Sequence, residues 1–176
     1  MIHVLKKIFL ALLFLIPTCV FAEEPHLDAA STVWMMISAI LVLMMFIPGL
    51  ALFYGGMLRS KNVLSLFSQF FAVTGISAIL WVAFVYSMTS DTSNMTEGNL
   101  NLNSFVGSLN KAFLLGINDQ TLVGGVPEYV LITFGLTFAI ITPCIAIGAF
   151  AERMKFSAVI IFAALWLTLV YGPLAH

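Results

Sequence analysis

The sequence predicts an all-α membrane protein with four transmembrane helices. Hydrophobic residues make up 61% of the 176 residues and charged residues only 9%, against about a quarter charged in ordinary soluble domains. The apolar residues form long continuous runs rather than alternating with polar ones, which favours spanning helices over a β-barrel. With a net charge of −1, the chain also lacks the basic character of a nucleic-acid-binding protein.

Residues 1–22 have the pattern of a secretory signal peptide. Lys6 and Lys7 precede a short apolar core, and Val20-Phe21-Ala22 offers a cleavage site. The alternative is an uncleaved first span, although the apolar core is short for one. We expect a signal peptide over 1–22 and a membrane domain over 23–176.

The first two spans are predicted at about 33–54 and 63–88. Each is long enough to cross a hydrocarbon core of roughly 30 Å at about 1.5 Å per residue. Pro48-Gly49 should bend or open the first span, because proline removes a backbone hydrogen bond. Near the far end of the second span, Trp81 and Tyr86 are expected to be interfacial anchors.

The last two spans are predicted at about 128–151 and 158–173, after a polar loop over 89–126. Within that loop, residues 104–115 are expected to form a short surface helix. In the third span Phe134 and Phe138 lie four residues apart and therefore share one helix face. From spacing alone they are read more simply as lipid-facing or core rings than as a site.

The basic residues predict the orientation of the chain. Arg59 and Lys61 lie between spans one and two, and Arg153 and Lys155 lie between spans three and four. Because short cytoplasmic loops carry an excess of lysine and arginine, both loops should be cytoplasmic. The N-terminus and the 89–126 loop should then be outside, which a cleaved signal peptide also requires.

No enzyme site is predicted, and no cofactor or metal is expected. The three histidines, His3, His26 and His176, lie towards the two ends of the sequence. The apolar spans contain no Ser/His/Asp set and no metal-ligand cluster, and no glycine-rich phosphate loop follows a strand.

Three stretches carry a family resemblance: IPGLALFYGGMLRSKNVLS at 47–65, TFGLTFAIITPCIAIGAFAERMKFSA at 133–158 and LWLTLVYGPLAH at 165–176. The chain resembles the N-terminal part of the ammonium transporters of the Amt/Mep/Rh family. The resemblance implies helices one to four of an eleven-helix bundle, made of two inverted halves and assembled as a trimer in the inner (plasma) membrane, surrounded by lipid. The implied substrate is ammonium or ammonia.

The resemblance also implies roles for four aromatic residues. Phe134 and Phe138 resemble the stacked pair that closes the outer pore mouth in the family, where aromatic rings recruit the ammonium ion. Phe53 and Tyr54 resemble residues that border the inner part of the pathway. The face of an aromatic ring attracts a cation by about 0.5–2 kcal/mol, but it cannot replace a whole hydration shell.

The sequence departs from the family pattern in several places. The family's vestibule tryptophan follows the position of His176, its two pore histidines lie on other helices, and Gly135 stands where glutamine is expected. We therefore expect a truncated chain that does not transport alone, with ammonium transport carried out by a full-length parent. The alternative is a non-transporting membrane subunit that associates with full-length transporters.

Overall fold

A computed structural model describes residues 26–93 and 101–176. This part of the chain contains four helices that are long and apolar enough to cross a membrane: α1, Ala29–Met57; α2, Ser60–Ser90; α3, Glu128–Phe150; and α4, Phe156–Ala175. The prediction of an all-α protein with four long apolar helices is confirmed. The predicted signal peptide lies outside the described residues.

Three of the four helices contain a π turn, at Met45–Leu50 in α1, Trp81–Val85 in α2 and Trp166–Tyr171 in α4. A π turn is closed by a hydrogen bond between residues five apart. The break expected at Pro48-Gly49 therefore takes the form of a π turn, through which α1 continues. Helix α3 continues through Pro143. Next to this proline, the Thr142 hydroxyl donates a hydrogen bond of 3.3 Å to the Ala139 carbonyl.

A short hairpin leads into α3. Strand β1, Leu122–Val123, pairs antiparallel with β2, Val126–Pro127. Gly124 and Gly125 form the turn with φ of 59° and 80°, a left-handed conformation that glycine adopts at low cost. The Gly125 carbonyl accepts a hydrogen bond of 2.8 Å from the backbone N–H of Asp28. The start of α1 is thereby held beside the start of α3.

Helix α3 packs against both α1 and α2, while α2 also packs against α4. Buried side chains form two clusters, and α3 contributes to both. The first includes Phe46, Leu66, Phe70, Val73, Ile140, Cys144, Ile147 and Val159; the second includes Trp81, Val85, Tyr86, Ile117, Ile132, Ala139 and Leu167. The position of α3 therefore decides where any side chain on its free face points.

The expectation that Trp81 and Tyr86 are interfacial anchors is wrong. Their exposed fractions are only 4% and 7%. The Trp81 indole N–H donates to the Ile132 carbonyl, and the Tyr86 hydroxyl donates to Glu128. Both side chains satisfy their polar groups on α3, so they have no need of the membrane–water interface.

The surface helix expected over 104–115 is also wrong. The segment contains only short 3-10 turns at Leu102–Ser104 and Ala112–Leu114, and Phe113 has a positive φ of 55°. Its backbone groups bind the end of α2 instead: the Gly107 N–H donates to the Met88 carbonyl at 2.8 Å. These tertiary hydrogen bonds replace the ones that an isolated helix would make.

Candidate functional site

Phe134 and Phe138 are in direct contact on α3. Their ring centroids lie 5.0 Å apart with planes at 70°, which is an edge-to-face arrangement rather than the stacked one expected. Phe134 is half-buried, whereas Phe138 is 39% exposed. The Thr137 hydroxyl donates to the Phe134 carbonyl at 2.6 Å. The pair thus presents aromatic surface on the free side of α3.

Such a pair can attract a small cation without binding it strongly. An aromatic face is electron-rich, and its attraction for a cation grows as water is excluded. Edge-to-face contact also holds two rings in a defined mutual orientation. The arrangement therefore suits a position at which a cation is attracted and then moves on.

Gly135, where the resemblance led us to expect glutamine, lies against the indole of Trp81. A methyl group added at Gly135 would lie 2.7 Å from Trp81 Cζ2, which is closer than van der Waals contact allows. The Trp81 indole N–H donates to the Ile132 carbonyl at 3.1 Å. Beside the phenylalanine pair, the space that a side chain at position 135 would occupy is therefore filled by Trp81 from α2.

Phe53 and Tyr54 form a second aromatic pair, near the end of α1. Their centroids are 5.5 Å apart, and Phe53 is 62% exposed. The Tyr54 hydroxyl donates to the Ile145 carbonyl at 3.0 Å. Ile145 follows Phe138 by seven residues. The contact of Tyr54 with α3 therefore lies about 10 Å further along that helix than Phe138 does. The four predicted residues therefore lie at two different depths.

A buried ion pair that the sequence reading did not find lies at the N-terminal end of α3. Glu128 is only 4% exposed. Its Oε1 accepts hydrogen bonds of 2.6 Å from the Tyr86 hydroxyl and from Lys111 Nζ. Lys111 is the only basic residue of the 89–126 loop, and a carboxylate at the start of an apolar span needs a partner. Those two signals together could have predicted the pair.

Asp91 holds the same loop from the end of α2. Its side chain accepts hydrogen bonds from the hydroxyls of Ser93 and Ser108. Burial opposes the ionisation of Asp91, but these hydrogen bonds outweigh it and lower the pKa of Asp91 to about 2. The loop between α2 and α3 is therefore fastened by one carboxylate at the end of α2 and another at the start of α3.

On the opposite side, Glu152 links the two short loops. Its Oε1 accepts hydrogen bonds from Asn62 Nδ2 at 2.9 Å and from the Arg59 backbone N–H at 3.4 Å. The hydrogen bond from Asn62 is the main reason that the pKa of Glu152 lies below its ordinary value. Within 26–93 and 101–176, His, Cys, Asp and Glu form no group of three or more that could hold a metal ion.

Comparison with known proteins gives one consistent result. The Ammonium Transporter Family profile matches residues 33–176. The ammonium transporter of Bacillus subtilis is 40% identical over 150 residues, which cover 85% of this chain and 35% of that protein. The ammonium transporter of Aquifex aeolicus is 40% identical over 157 residues, covering 89% of this chain and 35% of the relative. The chain spans about a third of the length of these curated relatives.

Solved structures show the same relationship in three dimensions. The crystal structure of Candida albicans Mep2 superposes with a TM-score of 0.70 at 29% identity, covering 89% of this chain and 33% of that one. Saccharomyces cerevisiae Mep2 gives a TM-score of 0.70 at 26% identity, covering 87% and 34%.

Proposed function

The chain belongs to the ammonium transporter family, and from this premise we propose that it supplies part of an ammonium conduction pathway, with Phe134 and Phe138 at the outer mouth. Members of the family are transporters rather than enzymes, and the four apolar helices make this chain a multi-pass membrane protein. Ammonium is the proposed substrate.

The observation that carries this proposal is the contact between Phe134 and Phe138. The rings meet edge to face at 5.0 Å, and Phe138 is 39% exposed on the free side of α3. A cation that reaches this surface is attracted by the ring faces but remains short of ligands. This weak attraction without full coordination favours recruitment of the ammonium ion, followed by loss of its proton before it passes along the pathway.

The second aromatic pair supports a pathway that runs along α3. Tyr54 is attached to the Ile145 carbonyl, about 10 Å further along the helix than Phe138. We propose that Phe53 and Tyr54 border the inner part of the same path. A route with aromatic residues at two depths fits a pore better than a single closed pocket.

Four helices do not enclose a pore, because a water-accessible path must be walled from lipid on all sides. We propose that these helices act as helices one to four of an eleven-helix bundle that assembles as a homotrimer. The exposed ring of Phe138 would then face the remaining helices. The same exposed surface could instead bind another transporter subunit, so a non-transporting partner subunit is the alternative.

We also propose an orientation in the inner membrane with the N-terminus outside and a signal peptide removed at residue 22. The charges support it: Arg59, Arg153 and Lys155 lie on the two short loops joined by Glu152, and Lys61 lies in the first turn of α2. On the other side, Lys111 is paired with Glu128. Basic loops remain on the cytoplasmic side of the membrane.

The test uses a chimera in which residues 33–176 replace the matching segment of the Bacillus subtilis relative. Reconstituted in liposomes, the chimera should take up methylammonium with saturation. Phe138→Ala should raise the half-saturation concentration by about fivefold, since it removes one ring contact with the cation. The matched control is Phe71→Ala, which removes a ring that is 65% exposed on α2. Equal uptake by the Phe138 variant and the control would contradict the proposed site.

The 176-residue chain alone tests whether these four helices conduct by themselves. We expect no saturable uptake above that of empty liposomes, because four helices leave the path open to lipid. Saturable uptake lost on Phe138→Ala would show that these helices form a pore by themselves. If the chimera is inactive but the chain copurifies with a full-length transporter, the partner-subunit alternative is supported instead.

A further inference from the structure

We propose that Trp81 is a positioning residue for the Phe134–Phe138 pair. It acts through two points on the backbone of α3, the Ile132 carbonyl and the space beside Gly135. Its effect on transport rests on the function proposed above, whereas its effect on the position of the rings does not.

The first evidence is the contact itself. Trp81 is 4% exposed, and its indole N–H donates to the Ile132 carbonyl at 3.1 Å. The indole also fills the space beside Gly135, where a methyl group would lie 2.7 Å from Cζ2 and 3.1 Å from Cη2. A rigid ring that both donates a hydrogen bond and fills a gap determines how far α3 can turn or slide.

The π turn in α2 explains how Trp81 comes to face α3. The Tyr86 N–H donates to the Trp81 carbonyl, so these residues, five apart, lie on one face of the helix. In a regular α-helix they would be about 140° apart. Their rings lie 5.7 Å from each other, and Tyr86 binds Glu128 while Trp81 binds Ile132. Helix α2 thus holds α3 at two points four residues apart.

Trp81 also packs against helix α4. The centroid of Tyr171, on α4, lies 6.2 Å from that of Trp81. The indole is therefore a wedge between α3 and α4. A change on the α3 side cannot simply push it away, so the strain should be transmitted to α3.

The position of Gly135 links this wedge to the phenylalanine pair. At about 100° per residue, Gly135 lies roughly 60° from Phe138 and 100° from Phe134 around the helix. The wedge is therefore beside the rings rather than opposite them. Any rotation of α3 about its axis that relieves a clash at Gly135 moves both rings in the same sense.

The structural test uses the full 176-residue chain in detergent, with 4-fluorophenylalanine in place of Phe138. Gly135→Ala should shift the fluorine signal, because the added methyl group displaces α3 from Trp81. The control is Gly75→Ala on α2, where an added methyl group would meet nothing within 4 Å. Adding Trp81→Phe to Gly135→Ala should move the signal back, since the smaller ring makes room.

A fluorine signal that Gly135→Ala leaves unmoved, or moves no more than Gly75→Ala does, would overturn the proposal. If Gly135→Ala does not fold, Trp81→Phe alone takes its place. It removes the donor to Ile132 and should also move the signal, and an unmoved signal there would equally overturn the proposal.

The transport test uses the chimera described above. At equal amounts of folded protein, Gly135→Ala should raise the half-saturation concentration about fivefold, with less change in the maximal rate per molecule. A fall in maximal rate alone would indicate a merely structural role for the contact and would count against positioning. If the chimera with native residues takes up nothing, the proposed function fails, and the fluorine measurement still decides the role of Trp81.

Discussion

Tyr54 occupies the space that a side chain at Gly148 would fill. A methyl group added at Gly148 would lie 2.6 Å from Tyr54 Cε1 and Cζ. The Tyr54 hydroxyl donates to the carbonyl of Ile145, three residues before that glycine. Trp81 makes the same arrangement with Gly135 and Ile132. Two aromatic residues from different helices therefore hold α3 through the same combination of glycine and carbonyl.

Gly148→Ala should destabilise the protein. Overpacking of a filled space costs typically about 1–3 kcal/mol, which exceeds the gain of about 1 kcal/mol from replacing a helical glycine by alanine. Thermal unfolding in detergent, followed by the fraction that remains monodisperse, measures the difference.

Gly56→Ala is the matched control for that measurement, because an added methyl group there meets nothing within 4 Å. It should leave stability unchanged or raise it slightly. If both variants shift the unfolding temperature in the same direction by the same amount, the close contact between Tyr54 and Gly148 has no energetic importance.

Lys111→Met should loosen the loop between α2 and α3. Glu128 is buried, and the variant removes the one charged donor recorded for its Oε1 in the described part of the chain, while the Tyr86 hydroxyl remains. Since the Lys111 side chain is 33% exposed, we expect a loss of about 1–3 kcal/mol, below the range for a fully buried pair. Hydrogen exchange of the Gly107 amide, which donates to the Met88 carbonyl, reports the loosening.

Adding Glu128→Gln to Lys111→Met should recover part of the loss, because a neutral amide costs less to bury than an unpaired carboxylate. Unchanged exchange of the Gly107 amide in Lys111→Met would show that the ion pair does not hold the loop.

The loop between α2 and α3 should be held less firmly in acid, because Asp91 then loses its charge. Its pKa in the folded protein is about 2, against an ordinary value of 3.8. A lowered pKa means that the ionised form stabilises the fold above the ordinary value, and that this contribution is lost as pH falls through the folded value. The protection of the Gly107 amide against hydrogen exchange, measured relative to the intrinsic exchange rate at each pH, should therefore fall over this interval.

Asp91→Asn should remove that pH dependence, while Asp119→Asn, at an exposed position of the same loop, should keep it. Identical acid profiles for the native protein and Asp91→Asn would assign the transition to another group.

Single cysteines should label from opposite sides of the membrane at Ser60 and Gln120. Ser60 is the first residue of α2, next to the short connection from α1, and Gln120 is exposed on the loop that precedes α3. The background carries Cys19→Ser and Cys144→Ser, so that each variant has one thiol. A membrane-impermeant maleimide added outside should label Gln120→Cys in intact cells and Ser60→Cys only after lysis. Labelling of Ser60→Cys in intact cells would reverse the proposed orientation.

The four helices could be predicted because their signals are local. A run of apolar residues long enough to cross the hydrocarbon core is sufficient evidence for a spanning helix, whichever helices it packs against. The spacing of Phe134 and Phe138 likewise predicted their shared face, and the structure brings them into contact. Their edge-to-face geometry could not be predicted, because it depends on rotamers selected by neighbouring helices.

The roles of Trp81 and Tyr86 were misjudged because the relevant partners are distant in the sequence. Aromatic residues near the end of a span are commonly interfacial anchors, and local reasoning selects that role. The π turn at Trp81–Val85 has no clear local signature either. It turns both side chains towards α3, where a glycine leaves room for one and a carboxylate binds the other.

The sequence by itself determined the class of protein, the four spans, the charge asymmetry between the loops and the family. All of these depend on composition and order along the chain, since each helix meets its backbone hydrogen bonds internally. Only the tertiary structure decided which aromatic residues hold α3, where the loop between α2 and α3 binds the end of α2, and how the phenylalanine rings face each other. The physical reason is that tight packing requires matching shapes from different helices: Trp81 fits beside Gly135 only because a residue 54 positions away has no side chain.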